Sequence, residues 1–187
     1  MRILLAAINA KYIHSNLAVY SLKSYAGSRL PDVDIQICEY TINQQIDRIL
    51  ADLYEKKPDM LCFSCYIWNI TCVREVLAEV KKVLPEVKIW LGGPEVSYNA
   101  VAFLKKYPQV DGIMKGEGEQ TFLELLQALR ENTSLTEILG ITWRREDGEI
   151  ENHPWRPAIS LDEVPFVYQD MELFSHRIIY YESSRGC

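Results

Sequence analysis

The side chains with chemical reach in this 187-residue sequence gather in short clusters between apolar runs. Ser64-Cys65-Tyr66-Ile67-Trp68-Asn69 combines a hydroxyl, two aromatic rings and an amide. That density of recognition groups suits contact with a ligand, and the competing role for Tyr66 and Trp68 is to cap a core. Leu91-Gly92-Gly93-Pro94 offers backbone without side chains, which lets a bulky ligand approach and leaves N–H groups open. The same residues also suit a tight strand-to-helix turn with Pro94 near the helix start. Gly116-Glu117-Gly118-Glu119 sets two carboxylates at a helix start, where they satisfy the helix dipole themselves. Such a loop is a poor seat for a naked phosphate and a better one for ribose hydroxyls or the amides of a large cofactor; helix capping competes here. His14, two residues after Tyr12, can ligate a metal or donate a hydrogen bond, although a lone loop histidine is more often merely solvated. Asn16 reads as an ordinary helix N-cap.

Cys62-x-x-Cys65 invites a redox or zinc role, but on a strand positions three apart point to opposite faces, so the sulfurs do not converge. Cys62 and Cys72 read as buried structural thiols, with Cys65 bordering the ligand loop.

These clusters need a scaffold that brings them to one edge. Apolar, β-branched runs alternate with helix-period segments, giving strands at Arg2–Asn9, Val33–Glu39, Met60–Cys65, Val87–Leu91 and Val110–Lys115. Helices begin near Asn16, Asn43, Asn69, Val96 and Glu117. Repeated βα units imply an α/β, doubly wound, flavodoxin-like five-stranded parallel sheet of order 2-1-3-4-5 with helices on both faces. Its switch point lies between strands 1 and 3, so a ligand is expected outside their C-terminal ends, flanked by the loops Asn9–Asn16 and Ser64–Asn69. After Asn132, Ile141–Arg145 and Glu149–Glu151 read as a small hairpin, His153–Pro165 as an extended linker and Ile178–Tyr181 as a new strand.

Composition narrows the function. Lys plus Arg (20) against Asp plus Glu (26) gives −6 without a basic run, so nucleic acid is not an expected partner. The apolar stretches are strand-sized and no export signal is visible, so neither a membrane span nor secretion is expected. Five cysteines, an odd number, suit free thiols in the cytoplasm. A phosphoryl-receiving regulator would need acids after strands 1 and 3, where Ile8, Asn9 and Ser64 stand; a nicotinamide fingerprint would need a last glycine where Thr121 stands.

Taken together, the loop with His14-Ser15-Asn16, Ser64 to Asn69, Leu91-Gly92-Gly93-Pro94-Glu95, Gly116 to Glu119 and the terminal Ser184-Arg185-Gly186-Cys187 resemble the N-terminal part of cobalamin-binding radical S-adenosylmethionine proteins. Many of these are described as anaerobic magnesium-protoporphyrin IX monomethyl ester oxidative cyclase-like. The resemblance implies that residues 1–132 form a cobalamin-binding domain, 133–177 a hairpin and linker, and 178–187 the first strand of a truncated radical S-adenosylmethionine barrel. It implies that Ser64, Tyr66, Gly92 and Gly93 contact the corrin or its tail and that Gly116, Glu117 and Gly118 line the same crevice. Tyr12, His14 and Trp68 complete the candidate set. Relatives that ligate cobalt through histidine carry Asp-x-His-x-x-Gly; Tyr12-Ile13-His14-Ser15-Asn16-Leu17 lacks both the acid and the glycine, which implies a cobalamin without a protein ligand. Cys187 is similar to the first cysteine of Cys-x-x-x-Cys-x-x-Cys, which holds a four-iron–four-sulfur cluster and leaves one iron open for S-adenosylmethionine. One such thiolate cannot build a cluster, so cluster and S-adenosylmethionine belong to the full-length enzyme, a methyltransferase or oxidative cyclase, and the 187-residue piece is expected to be inactive. The partners implied are a corrinoid and the downstream barrel of the same chain. The alternative is a non-catalytic scaffolding domain whose corrin crevice has degenerated and is plugged by Tyr12, Tyr66 or Trp68. Under the cofactor reading, Gly93→Trp is expected to abolish corrinoid retention and leave unfolding of the apo domain little changed.

Overall fold

Ile3 to Ile8 are fully buried, so β1 (Arg2–Asn9) must run through the middle of a sheet covered on both faces. In a computed structural model that describes residues 1–168 and 170–185, it does. Parallel strands β2 (Asp34–Thr41), β3 (Met60–Ser64), β4 (Lys88–Gly92) and β5 (Gly112–Met114) join it in the order β2-β1-β3-β4-β5. The pleat sends Leu4, Ala6 and Ile8 to one face and Ile3, Leu5 and Ala7 to the other, each inside its own apolar cluster. The first face is covered by α2 (Ile46–Lys56), α3 (Ile70–Val83), α4 (Pro94–Ser97) and α5 (Ala100–Lys106). The second is covered by α1 (Leu17–Gly27) and α6 (Glu119–Glu131). The fourth helix expected near Val96 is split, because Asn99 leaves the helical conformation (φ −118°, ψ 33°).

The five-stranded all-parallel expectation requires correction. The hairpin β6 (Ile141–Arg144) and β7 (Ile150–Asn152) extends the same sheet, making seven strands with the last two antiparallel. β5 is three residues long and would otherwise expose an unpaired edge; β6 pairs Ile141, Thr142 and Trp143 with it. Turn chemistry reveals a hairpin but not the edge that receives it.

The expected linker has no regular structure over 153–160, yet it is bound to the domain. Gly140 N–H donates to Pro154 O (2.8 Å), Ile159 N–H donates to the Glu117 carboxylate (3.0 Å), and Arg156 pairs with Glu124. Farther on, Tyr168 is buried and its hydroxyl donates to Tyr180 O (2.6 Å), while Ile178 makes a parallel bridge with His14. Cys187, the expected cluster cysteine, lies outside the described residues.

Candidate functional site

At the C-terminal edge of the sheet, two helices share a face that β1 to β5 make too wide for them. α1 presents Leu17, Ala18 and Ser21 there, beside a cleft of about 750 Å³ over β1, β3, β4 and β5. Leu5, Cys62 and Met114 form an apolar floor, and Ser64, Tyr66, Tyr98, Glu117 and Trp155 stand around it. The volume lies within the roughly 300–1,000 Å³ usual for small-molecule and cofactor sites.

Two asparagines organise the rim. Asn69, fully buried at the start of α3, donates through Nδ2 to Ile8 O (3.0 Å) and Ser64 O (2.8 Å) and accepts from Tyr66 N–H (2.8 Å). It clamps the ends of β1 and β3 and fixes the loop that carries Tyr66. Asn16 does not cap α1 as expected. Its Nδ2 donates to Ser64 Oγ (3.1 Å), and its buried Oδ1 is without a hydrogen-bond partner among the described residues. Both asparagines precede helices, so local propensity assigns them to capping; their reach to a neighbouring strand is a tertiary fact.

Of the residues singled out from sequence, Ser64, Tyr66, Gly92, Gly93, Gly116, Glu117 and Gly118 come together as lining of the cleft. Trp68 lies behind the lining, stacked on Tyr66 with centroids 4.5 Å apart and planes 4° apart. Tyr12 stands outside at 71% exposure under the Arg177 guanidinium, and the His14 ring stacks on Tyr180. The plugged crevice of a degenerate domain is not seen: Tyr66 is a wall of an open cleft, and Tyr12 and Trp68 are not in it. The cleft keeps Leu5 of β1 and Cys62 to Ser64 of β3 in its lining, whereas the Asn9–Asn16 loop, expected to flank it, is not among the lining and meets Ile178 instead.

The glycines divide by purpose. A Cβ on Gly93 would stand 2.4 Å from Cys65 O, and its φ of +103° disfavours any side chain. Gly118 lies against Leu22 and Gly116 against Trp155, so these three serve chain packing first. Gly92 alone of the four is unconstrained, its Cβ meeting only Met114 O at 3.7 Å. Gly93→Trp would therefore damage the apo fold, contrary to expectation.

Sequence reasoning missed Trp155, Tyr98 and Arg185 as lining. Arg185, partly buried, sits among Glu119 (2.5 Å), Glu182 (2.8 Å) and Glu117 (3.5 Å). Burial opposes ionisation of Glu119, but hydrogen bonds from Arg185 and Ser21 outweigh it and hold the carboxyl below its usual range. Burial also pushes up the thiols of Cys62 and Cys65, the latter to about 12, so both are protonated and unreactive near neutrality. They lie in the clusters on opposite faces of the sheet, as their spacing requires.

A wide apolar floor with a polar rim suits a flat, bulky ligand. A family model described as B12 binding domain matches residues 3–126. The chain belongs to that family. Cobalamin-dependent radical SAM methyltransferase TokK of Streptomyces tokunonensis is 39% identical over 90 residues, 48% of this chain and 13% of that protein. The anaerobic magnesium-protoporphyrin IX monomethyl ester cyclase of Synechocystis sp. is 32% identical over 114 residues, 58% of this chain and 23% of that protein. The chain thus spans a quarter or less of the length of these relatives. The fold is that of the cobalamin-dependent S-adenosylmethionine radical enzyme OxsB, with a TM-score of 0.74 at 22% identity over 91% of this chain and 25% of that one.

The residues of this cobalamin-binding domain fit the group. Gly92 leaves the floor open for a macrocycle, Leu5, Cys62 and Met114 offer it an apolar surface, and the Ser64 hydroxyl stands at its rim.

Proposed function

We propose that the cleft over β1 and β3–β5 seats a corrinoid, and that this domain serves a larger radical S-adenosylmethionine enzyme of the cytoplasm. The observation that carries the reading is the open Gly92 floor inside a cleft of about 750 Å³ in a chain of the B12-binding family. Tyr66, braced by Trp68 and by its N–H bond to Asn69, walls one side; Tyr98 and Trp155, with ring centroids 5.5 Å apart, wall the other. Ser64, Gly92, Gly93, Gly116, Glu117 and Gly118 are the contact residues of this proposal. Tyr12, Trp68 and His14 stand outside it, and the His14 ring, with Nδ1 hydrogen-bonded to the Tyr180 hydroxyl, is not part of the cleft lining. Cys62 and Cys65 lie on opposite faces of the sheet and do not converge on one metal.

The chemistry a bound cobalamin would supply is methyl carriage or electron transfer. The similarity to a methyltransferase and a cyclase supports either outcome for the whole enzyme. In this reading residues 178–187 lead into a barrel of the same chain, and Cys187 is the first of three cysteines for a four-iron–four-sulfur cluster that binds S-adenosylmethionine.

The test is direct. The purified chain, mixed with hydroxocobalamin and desalted, is expected to keep a corrinoid absorption band in stoichiometric amount; a folded chain that emerges colourless would falsify the reading.

A further inference from the structure

Lys115, the residue that follows β5, is 3% exposed, and among the described residues no carboxylate pairs with it. An ammonium taken out of water without a counter-ion is costly unless other groups hold it. Burial accordingly pushes its pKa below lysine's ordinary range. What holds Nζ is a set of neutral groups from one short segment. It donates to Asn152 Oδ1 (2.7 Å) and to His153 O (2.5 Å), and the Trp155 ring centroid lies 5.6 Å away. That last distance is within the range at which an aromatic face attracts a cation.

All three groups lie at the exit of β7, where the chain turns toward the cleft. One side of this segment is fastened by backbone: His153 N–H donates to Ile141 O (3.0 Å) and Gly140 N–H to Pro154 O (2.8 Å). These bonds set the path of the chain but not the side chain of Trp155, which is 47% exposed. The ring is placed from the other side, by the end of β5. It lies over Gly116, where an added Cβ would stand 3.2 Å from it, and beside the Lys115 ammonium. Asn152 Oδ1 also accepts from the hydroxyl of Thr142 (2.6 Å), a fully buried residue, so the acceptor that Lys115 uses is itself fixed. An apolar side chain at 115 would fill the same space and bind none of these groups.

We infer that Lys115 is a positioning residue: from the end of β5 its ammonium grips Asn152 and His153 and sets the Trp155 ring in place as a wall of the corrin cleft. The purpose of that wall rests on the corrinoid reading. Lys115 itself is not among the cleft lining, so it acts through the ring.

Two measurements on the 187-residue chain test this. The first needs no corrinoid. With 5-fluorotryptophan incorporated, the four tryptophans give four fluorine resonances, and that of Trp155 is the one lost in Trp155→Phe. Lys115→Met keeps most of the side chain's bulk and removes its charge and donors; it is expected to shift the Trp155 resonance and leave that of Trp68, across the cleft, in place. The second is the release of preloaded hydroxocobalamin, expected to be about tenfold faster in Lys115→Met and in Trp155→Ala, the order of losing one aromatic contact. The double variant should release no faster than Trp155→Ala alone, since without the ring Lys115 has nothing to place. Where Lys115→Met does not fold, Asn152→Ala, which removes one acceptor at an exposed residue, is expected to shift the same resonance. An unmoved Trp155 resonance in the folded variant overturns the positioning role whether or not corrinoid binds. A moved resonance with unchanged release overturns the ring's part as a wall, and additive effects in the double variant overturn action through the ring. A chain whose Trp155 resonance answers to Lys115 yet which keeps no corrinoid sinks the corrinoid reading and the wall together, leaving the hold of Lys115 on the ring standing.

Discussion

Gly92 and Gly93 are neighbours with opposite tolerances, and the difference is a matter of a few atoms. An alanine at Gly93 would be forced into a left-handed conformation with its methyl 2.4 Å from Cys65 O, whereas at Gly92 a side chain enters the cleft. Gly93→Ala should thus destabilise the apo domain by about 1–3 kcal/mol, visible as a lowered urea midpoint. Gly92→Leu should leave that midpoint nearly unchanged and reduce hydroxocobalamin retention strongly. Equal retention by Gly92→Leu and the unsubstituted chain would place the ligand elsewhere. His14 illustrates the reverse case: its chemistry attracts attention in the sequence, but its ring is taken up with Tyr180.

Among the elements, the strand ends are joined by side chains from helix starts. Asn69 is the strongest example, with three hydrogen bonds at 2.8–3.0 Å reaching β1, β3 and the Tyr66 loop from full burial. Asn69→Ala strands several buried backbone groups, each worth about 1–3 kcal/mol, so a loss of about 3 kcal/mol by chemical denaturation is expected. A loss near zero would mean that the clamp does not operate. The hairpin acts at the same scale by sealing the short β5, and the extended segment that leaves β7 carries Trp155 to the cleft.

Across the whole molecule, the segment that follows β7 is tied back to the sheet domain by ion pairs, among them Arg177–Glu39, Arg156–Glu124 and Arg185–Glu119. Glu119 has its folded carboxyl held below the ordinary value of 4.5, so its contribution is fully present above that value. It is lost as pH falls through the lowered one. Thermal unfolding of the unsubstituted chain should therefore drop below about pH 4.5, and Glu119→Gln should show a shallower drop; parallel profiles would contradict the assignment. Among the described residues no helix is long and apolar enough to cross a membrane. By itself the sequence determined the five βα strands, the two-faced core and the loops that meet at one sheet edge, because apolar periodicity and glycine placement are local signals that survive without a fold. Ser64, Tyr66, Gly92 and Glu117 were legible for that reason. Only the tertiary structure decided that the hairpin joins the sheet, that Asn16 and Asn69 bridge strands rather than cap helices, and that Arg185 reaches Glu119 across 66 residues. Those contacts depend on distances between segments remote in the chain, and no local pattern of residue types specifies which remote carboxylate, edge or hydroxyl a side chain will meet.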